Sequence, residues 1–146
     1  MKSIANYQKS FPAAQYHPKH QLLTWRPEGV LDDELADRVI DFLEFEEASD
    51  EGPFHRYSDL SRLTRVQLSL DHVFTLAKRR TRAYRGPRVK SAFYAIRLIT
   101  LTIAKMYEEL MAKSRIEVRV FRDRAAAASW LEVPAKVLAA PPAEEW

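Results

Sequence analysis

Cysteine is absent from the 146 residues, which excludes disulfides, thiolate catalysis and Cys-ligated zinc or iron–sulfur sites. Glycine is scarce, three residues against eight prolines, and that leaves little room for a Gly-rich phosphate loop. No stretch approaches the roughly 18 consecutive apolar residues of a membrane span. The opening Met1-Lys2-Ser3-Ile4-Ala5-Asn6 has no hydrophobic run after its lysine, so no secretory signal is expected and a bacterial, cytoplasmic protein is the default. What remains is a globular mixture. At 47% hydrophobic and 29% charged, the chain is too apolar for disorder and lacks the charge of a coiled coil. Its length suits one domain.

Charge is distributed unevenly along a chain of net +3. From Glu28 to Glu51 there are eleven acids against one base, Arg38, a local net of −10. From Arg62 to Lys90 there are nine bases against one acid, Asp71, a local net of +8. Any fold of this sequence has to place two opposite poles.

Residues 1–19 are polar and aperiodic, with Pro12 and Pro18, and read as a loosely held arm. A domain over 20–134 and a Pro/Ala/Glu tail over 135–146 follow. Strand formers fill 21–26, Pro27 stops that strand and Gly29 turns the chain. Asp32 is a good N-cap, with Asp33 and Glu34 in the first turn, where the helix dipole favours acids. Leu35, Val39, Phe42 and Leu43 continue at helical spacing to about residue 47. Phe54–Tyr57 is a weaker strand, because His55 and Arg56 are polar, and 59–67 reads as loop. Ser69 caps a second helix to about Arg85, its buried stripe predicted as Leu70, Val73, Phe74, Ala77 and Tyr84. Gly86-Pro87 ends it. A third strand spans 89–95. A third helix spans 98–113, apolar on two faces and predicted to be the most buried. Residues 116–121 alternate with period two, and Asp123 caps a last helix to about Glu132, which Pro134 closes.

Strands alternating with crossover-length helices imply a single α/β domain: a central, mostly parallel sheet of four or more strands with about four helices packed on it. In such sheets ligands favour loops beyond the carboxyl ends of the strands, here around 29–32, 59–69, 96–98 and 122–123.

Several short motifs point to a family. Gly29-Val30-Leu31, Asp59-Leu60-Ser61, Met106-Tyr107-Glu108-Glu109-Leu110, Ile116-Glu117-Val118-Arg119-Val120-Phe121-Arg122-Asp123 and Ala127-Ala128-Ser129-Trp130-Leu131 together resemble the bacterial SpoIIAA-like proteins. Those have the STAS-like fold of anti-sigma-factor antagonists, and the likeness covers about residues 21–133. It implies a small α/β domain that binds partners and is usually not an enzyme. Regulatory members carry a second Asp-Ser-Ser motif with a serine phosphorylated by a partner kinase. This chain has Arg65-Val66-Gln67-Leu68-Ser69-Leu70 there. The Asp-Ser pair and the following glycine are missing, so the phosphorylation switch is not carried over. In overall topology the fold also resembles lipid-carrier domains.

Two groups of residues are candidate sites. The loop residues Asp59, Ser61 and Thr64, with Ser69, could line a ligand or partner surface. The plainer reading is that Asp59 and Ser61 close a turn and Ser69 caps a helix. The basic run offers Lys78, Arg79, Arg82, Arg85 and Arg88 as a patch for an anionic partner, against the plainer reading of a solvated helix end. Nucleic acid is not expected, since the only interleaved aromatic, Tyr84, fits the buried stripe. The acidic and basic helices could instead join two copies of the chain. His17, His20, His55 and His72 are scattered and Pro18 separates the first two, so neither a metal site nor a cofactor is expected. No catalytic constellation stands out. An Asp59/Ser61/His72 triad can be written down, but no Gly-x-Ser-x-Gly elbow places the serine. The expected function is a non-enzymatic binding or regulatory module of unknown specificity that interacts with an unknown protein partner. The alternative is an enzyme or a carrier of a small apolar or lipid-like ligand, in a cleft between the second and third helices near Phe74, Tyr94, Met106 and Tyr107.

Overall fold

The structure, a computed structural model, describes residues 13–49 and 52–139. In chain order the elements are β1 (Ala14–His17), β2 (Leu22–Trp25), β3 (Gly29–Asp32), α1 (Asp33–Glu47), β4 (His55–Asp59), β5 (Leu63–Gln67), α2 (Leu70–Ala83), β6 (Val89–Tyr94), α3 (Leu98–Leu110), β7 (Ile116–Phe121), α4 (Arg124–Leu131) and α5 (Ala135–Leu138). A 3-10 turn at Pro18–His20 joins β1 to β2. Five strands form the main sheet in the order β1-β2-β4-β6-β7. Its β1–β2 pairing is antiparallel and the rest are parallel. A second, two-stranded parallel sheet joins β3 and β5. The mostly parallel α/β sheet expected from the alternation is therefore present.

Local chemistry sets the helix starts. The Asp32 carboxylate accepts the Leu35 N–H at 2.8 Å. The Ser69 hydroxyl oxygen accepts the His72 N–H at 3.2 Å, and Asp123 accepts the Ala125 N–H at 3.1 Å. Each satisfies a donor that the first helical turn cannot bond internally.

Side chains alternate across the main sheet and give it two covered faces. On one, Leu22, Tyr57 and Ala92 pack under α4 and α5 through Ala127, Ala128, Leu131 and Leu138. The other lies beneath α1, α2 and α3. The sheet ends at β7, where the Phe121 carbonyl accepts the Ala95 N–H at 3.0 Å. The N–H groups of Ile116, Val118 and Val120 therefore point away from β6. At Val120 that N–H donates to Glu108 Oε2 at 2.7 Å.

Several expectations are corrected. Residues 14–17 are not part of a loose arm: they form β1 on the edge of the main sheet, with Ala14 buried beside Leu23 and Phe54. Residues 1–12 lie outside the described residues. The stretch 63–67 is strand β5, not loop. Only one of its faces is covered, by Leu63 and Val66, so exposed Thr64, Arg65 and Gln67 give it a polar composition. The tail begins later than expected. Leu138 is fully buried, and Arg26 Nη2 donates to the carbonyls of Leu138 and Ala139 at 3.0 and 2.9 Å. Residues 140–146 lie outside the described residues.

The inward face of α2 is also rotated from the predicted stripe. Val73, Leu76, Ala77 and Arg80 are buried, whereas Leu70 and Phe74 are exposed. Nor is α3 the most buried helix. It packs against β7, β5 and α2, and that leaves one apolar side uncovered, with Leu98 78% and Ile99 65% exposed.

Candidate functional site

On β2, β4 and β6, Leu23 lies opposite Arg56 and Arg56 opposite Ser91. One step along, Trp25 lies opposite Ser58 and Ser58 opposite Phe93. Period-two alternation sends all six side chains to the face beneath the three long helices. Between this floor and those helices is a cavity of about 160 Å³. Its roof is apolar: Ala36, Val39 and Ile40 from α1, Val73 and Leu76 from α2, and Ile103 and Ala104 from α3. Trp25, Val39, Phe42 and Leu43, also in the lining, are only half-buried.

Charge enters this cavity at one place. Arg56 from β4 and Arg80 from α2 are both in the lining, with side chains 6% and 2% exposed. One carboxylate serves both. Arg80 Nη1 donates to Glu47 Oε1 at 2.8 Å and Arg80 Nη2 to Glu47 Oε2 at 2.5 Å. Arg56 Nη2 donates to that same Oε2. Burial opposes the charge on Arg80, but the fork onto Glu47 outweighs it and holds the guanidinium above its ordinary value. For Arg56 burial wins, and its guanidinium is pushed below its ordinary value despite Glu47. Arg56 is also stacked, with its guanidinium carbon 4.3 Å from the Phe54 ring centre and 5.5 Å from that of Tyr84.

The same contacts extend along the helix pair. Arg79 donates to Glu44 at 2.6 Å and to Asp41 at 2.7 Å, and those partners raise its guanidinium above the ordinary value. His72 Nε2 and Asp37 Oδ1 are 2.6 Å apart. The acidic segment and the basic segment thus meet along α1 and α2 of one chain.

The residues predicted from the sequence fall in three places. Asp59 is buried on the opposite face of the sheet, where its Oδ1 accepts from the Ser61 N–H at 2.9 Å and the Ser61 hydroxyl at 2.6 Å. Arg124 Nη2 lies 3.4 Å from its Oδ2. Beside it the Tyr57 hydroxyl is buried without a hydrogen-bond partner, Arg124 lying outside hydrogen-bond geometry. Burial pushes the Tyr57 phenol up to about 12. Thr64 donates to the Gly29 carbonyl at 3.1 Å, tying β5 to β3. Ser69 caps α2 and also donates to Asp33 through its N–H at 3.1 Å and its hydroxyl at 3.3 Å, so a phosphate there would meet a carboxylate. Asp59 and Ser61 come together. Thr64 and Ser69 bond elsewhere, to β3 and α1. Of the basic patch, Lys78, Arg82, Arg85 and Arg88 are exposed, while Arg79 is occupied by α1. No cluster of three or more metal-ligating side chains occurs among the described residues.

Sequence reasoning missed Arg56, Arg80 and Glu47. Arg80 carried a signal, because it lies seven, four and three residues after Val73, Leu76 and Ala77, in phase with the buried stripe. Arg56 carried a weaker one, on the same strand face as buried Phe54.

No protein-family profile and no curated protein matches the chain. Among solved structures, an uncharacterized protein of the DUF3478 family with a SpoIIAA-like fold, from Shewanella loihica PV-4, is similar at 18% sequence identity and a TM-score of 0.49. The similarity covers 75% of this chain and 83% of that one. SpoIIAA-like is also the fold that the sequence motifs resemble.

Proposed function

We propose that the chain binds a small apolar molecule in the cavity between its main sheet and α1, α2 and α3. The observation that supports this reading is the unfilled space itself. It is a hollow of about 160 Å³, partly open to solvent beside half-buried Trp25, Val39, Phe42 and Leu43 and lined by apolar side chains, and concave, mostly apolar recesses are where small molecules bind. Its place differs from the cleft expected from the sequence. Tyr107 lines it, but Phe74 is exposed and Tyr94 belongs to the other face, under Arg124.

Size narrows the ligand. Engineered apolar cavities of roughly 150 Å³ take up benzene, so this one suits a body of that order and not a whole membrane lipid. Toluene titrated into the protein, followed by methyl shifts of Ile40, Leu76 and Ile103, is the test. Saturable shifts confined to those methyls are expected. Their absence ends this reading.

A partner-binding module is the second reading, and one feature favours it. Crossover helices run antiparallel to the parallel strands, so the first turns of α2 and α3 lie at the same end of the sheet. Leu70 and Phe74, with Ile96, Leu98 and Ile99, are all exposed there. Affinity capture with the natural chain and with Leu98→Glu/Ile99→Glu tests it. A partner retained by the natural chain and lost by the variant supports the reading.

A further inference from the structure

We infer that the outward face of α2 and α3 docks an acidic, amphipathic helix of a partner protein. The partner's apolar side chains lie on Leu70, Phe74, Leu98 and Ile99, and its carboxylates on the cations further along α2. The inference rests on the partner-docking reading above, and adds the charge and shape of what docks.

The outward side of α2 changes character along its length. Leu70 and Phe74 are exposed at its start. Lys78 and Arg82 follow Phe74 at four-residue steps, which places them on the same side of the helix, and both are exposed. Beyond the helix end, Arg85 and Arg88 are exposed in the turn to β6. Exposed Arg115 joins that turn, its Nη1 donating to the carbonyls of Arg85 and Gly86 at 3.4 Å. Arg79 and Arg80, on the side of α2 that faces α1, are neutralised by Glu44 and Glu47. Lys78, Arg82, Arg85, Arg88 and Arg115 have no such carboxylate among the described residues. Uncompensated cations gathered from neighbouring elements raise a positive potential that attracts anions. An exposed apolar cluster beside them marks an interaction surface.

The neighbouring helix decides the class of anion. α1 and α2 pack side by side in the layer that covers one face of the sheet. α1 carries seven acids against one base, Arg38, with Glu34 and Asp41 exposed. A broad anionic surface, a bilayer or a nucleic-acid duplex, would press on those acids as well as on the cations of α2. One helix, about 10 Å across, lies along α2 and α3 without reaching α1. The aliphatic side chains of Leu70, Leu98 and Ile99 also offer no platform for stacked bases. A second copy of this chain is a poor occupant, because Asp37, Asp41, Glu44 and Glu47 of its α1 are already paired with His72, Arg79 and Arg80. Length follows from the helix rise. Leu70 and Arg85 are separated by about 22 Å at 1.5 Å per residue, so the partner helix has about 16 residues, apolar toward one end and acidic toward the other. Laying an amphipathic helix on an exposed apolar surface is a recurrent mode of recognition.

An unbiased selection tests this. A displayed library of random peptides of about 16 residues, matched to that span, is selected on the natural chain. The enriched peptides are then measured by fluorescence anisotropy at about 50 and about 300 mM salt, between which surface attraction is increasingly screened. Sequences that pair apolar residues with Asp and Glu are expected. Their dissociation constants should rise about tenfold with the added salt, and about tenfold or more in Lys78→Glu/Arg82→Glu. Both positions are exposed, so this variant keeps the fold. Leu98→Glu/Ile99→Glu should abolish binding. Neutral or basic peptides that bind Lys78→Glu/Arg82→Glu as well as the natural chain overturn the acidic partner, while the docking reading stands if Leu98→Glu/Ile99→Glu removes them. Acidic peptides that bind both variants unchanged place the site elsewhere and overturn it too. Phosphatidylglycerol vesicles or a DNA duplex of about 20 base pairs, binding more tightly than any selected peptide and lost in Lys78→Glu/Arg82→Glu, overturn the choice of a protein helix. If no peptide, vesicle or duplex binds, the inference and the docking reading fall together.

Discussion

Arg80 and Glu47 form a two-pronged pair inside the protein, with Nη1–Oε1 at 2.8 Å and Nη2–Oε2 at 2.5 Å, and Arg56 bonds to the same carboxylate. Removing the shared acid leaves two guanidiniums buried without their common partner. Breaking a buried pair in this way costs about 3–5 kcal/mol. Glu47→Gln is therefore expected to lower the urea unfolding free energy by that order. Asp41→Asn, at an exposed carboxylate on the same helix, should cost less than about 1 kcal/mol. Equal losses from the two variants would contradict the proposed role of burial.

The unfilled space gives a second expectation. Ala104, on α3, is buried and lines the cavity. Ala104→Leu should fill part of it, raising stability by about 0.5–2 kcal/mol and abolishing toluene uptake. A variant that is less stable and still takes up toluene would place the binding elsewhere.

Acid should weaken the fold before its carboxylates titrate. The Lys90 N–H donates to His55 Nδ1 at 3.0 Å, a bond that needs this nitrogen unprotonated. Burial, then the charges of Lys90 and Arg56, hold the His55 pKa below its ordinary 6.5. Burial and then Arg26 lower His17 in the same direction. Below 6.5 the unfolded chain takes up protons that the folded chain resists. The stability is thus fully present above that value and is lost as pH falls toward the lower folded values. Urea midpoints should be flat above about pH 7 and decline below about 6.5, with a shallower decline in His55→Gln. Midpoints that rise on acidification in this window would be incompatible with these shifts.

The end of the described chain is expected to be structural. Leu138 is fully buried against the α4 face of the sheet and Arg26 holds its carbonyl. Leu138→Ala should cost about 2–5 kcal/mol, read by urea denaturation. A loss below about 0.5 kcal/mol, as at an ordinary surface position, would mean that the segment does not dock in solution.

Much of this architecture was legible because each element announced itself locally. Asp32 with Asp33 and Glu34 marked the start of α1, and the alternation of 116–121 marked β7. What stayed hidden depended on partners distant in sequence. β1 is strand because β2 lies beside it, and β5 because β3 does, not because Ala14–His17 or Leu63–Gln67 alternate strongly. The cavity was harder still. Its charged wall is built from an arginine in a polar-looking strand, a second inside a basic run and a glutamate within an acidic run, three residues that composition assigns to solvent. Only the packing of α1 against α2 brings them into the interior.

Glu108 has a consequence for how the molecule meets its own copies. An open strand such as β7 offers a row of main-chain donors and acceptors on which another chain could grow a cross-molecular ribbon. By occupying the Val120 N–H, the carboxylate interrupts that row partway along. Glu108→Ala would restore a free docking register at that position, and with it a route to filament growth from this margin of the molecule.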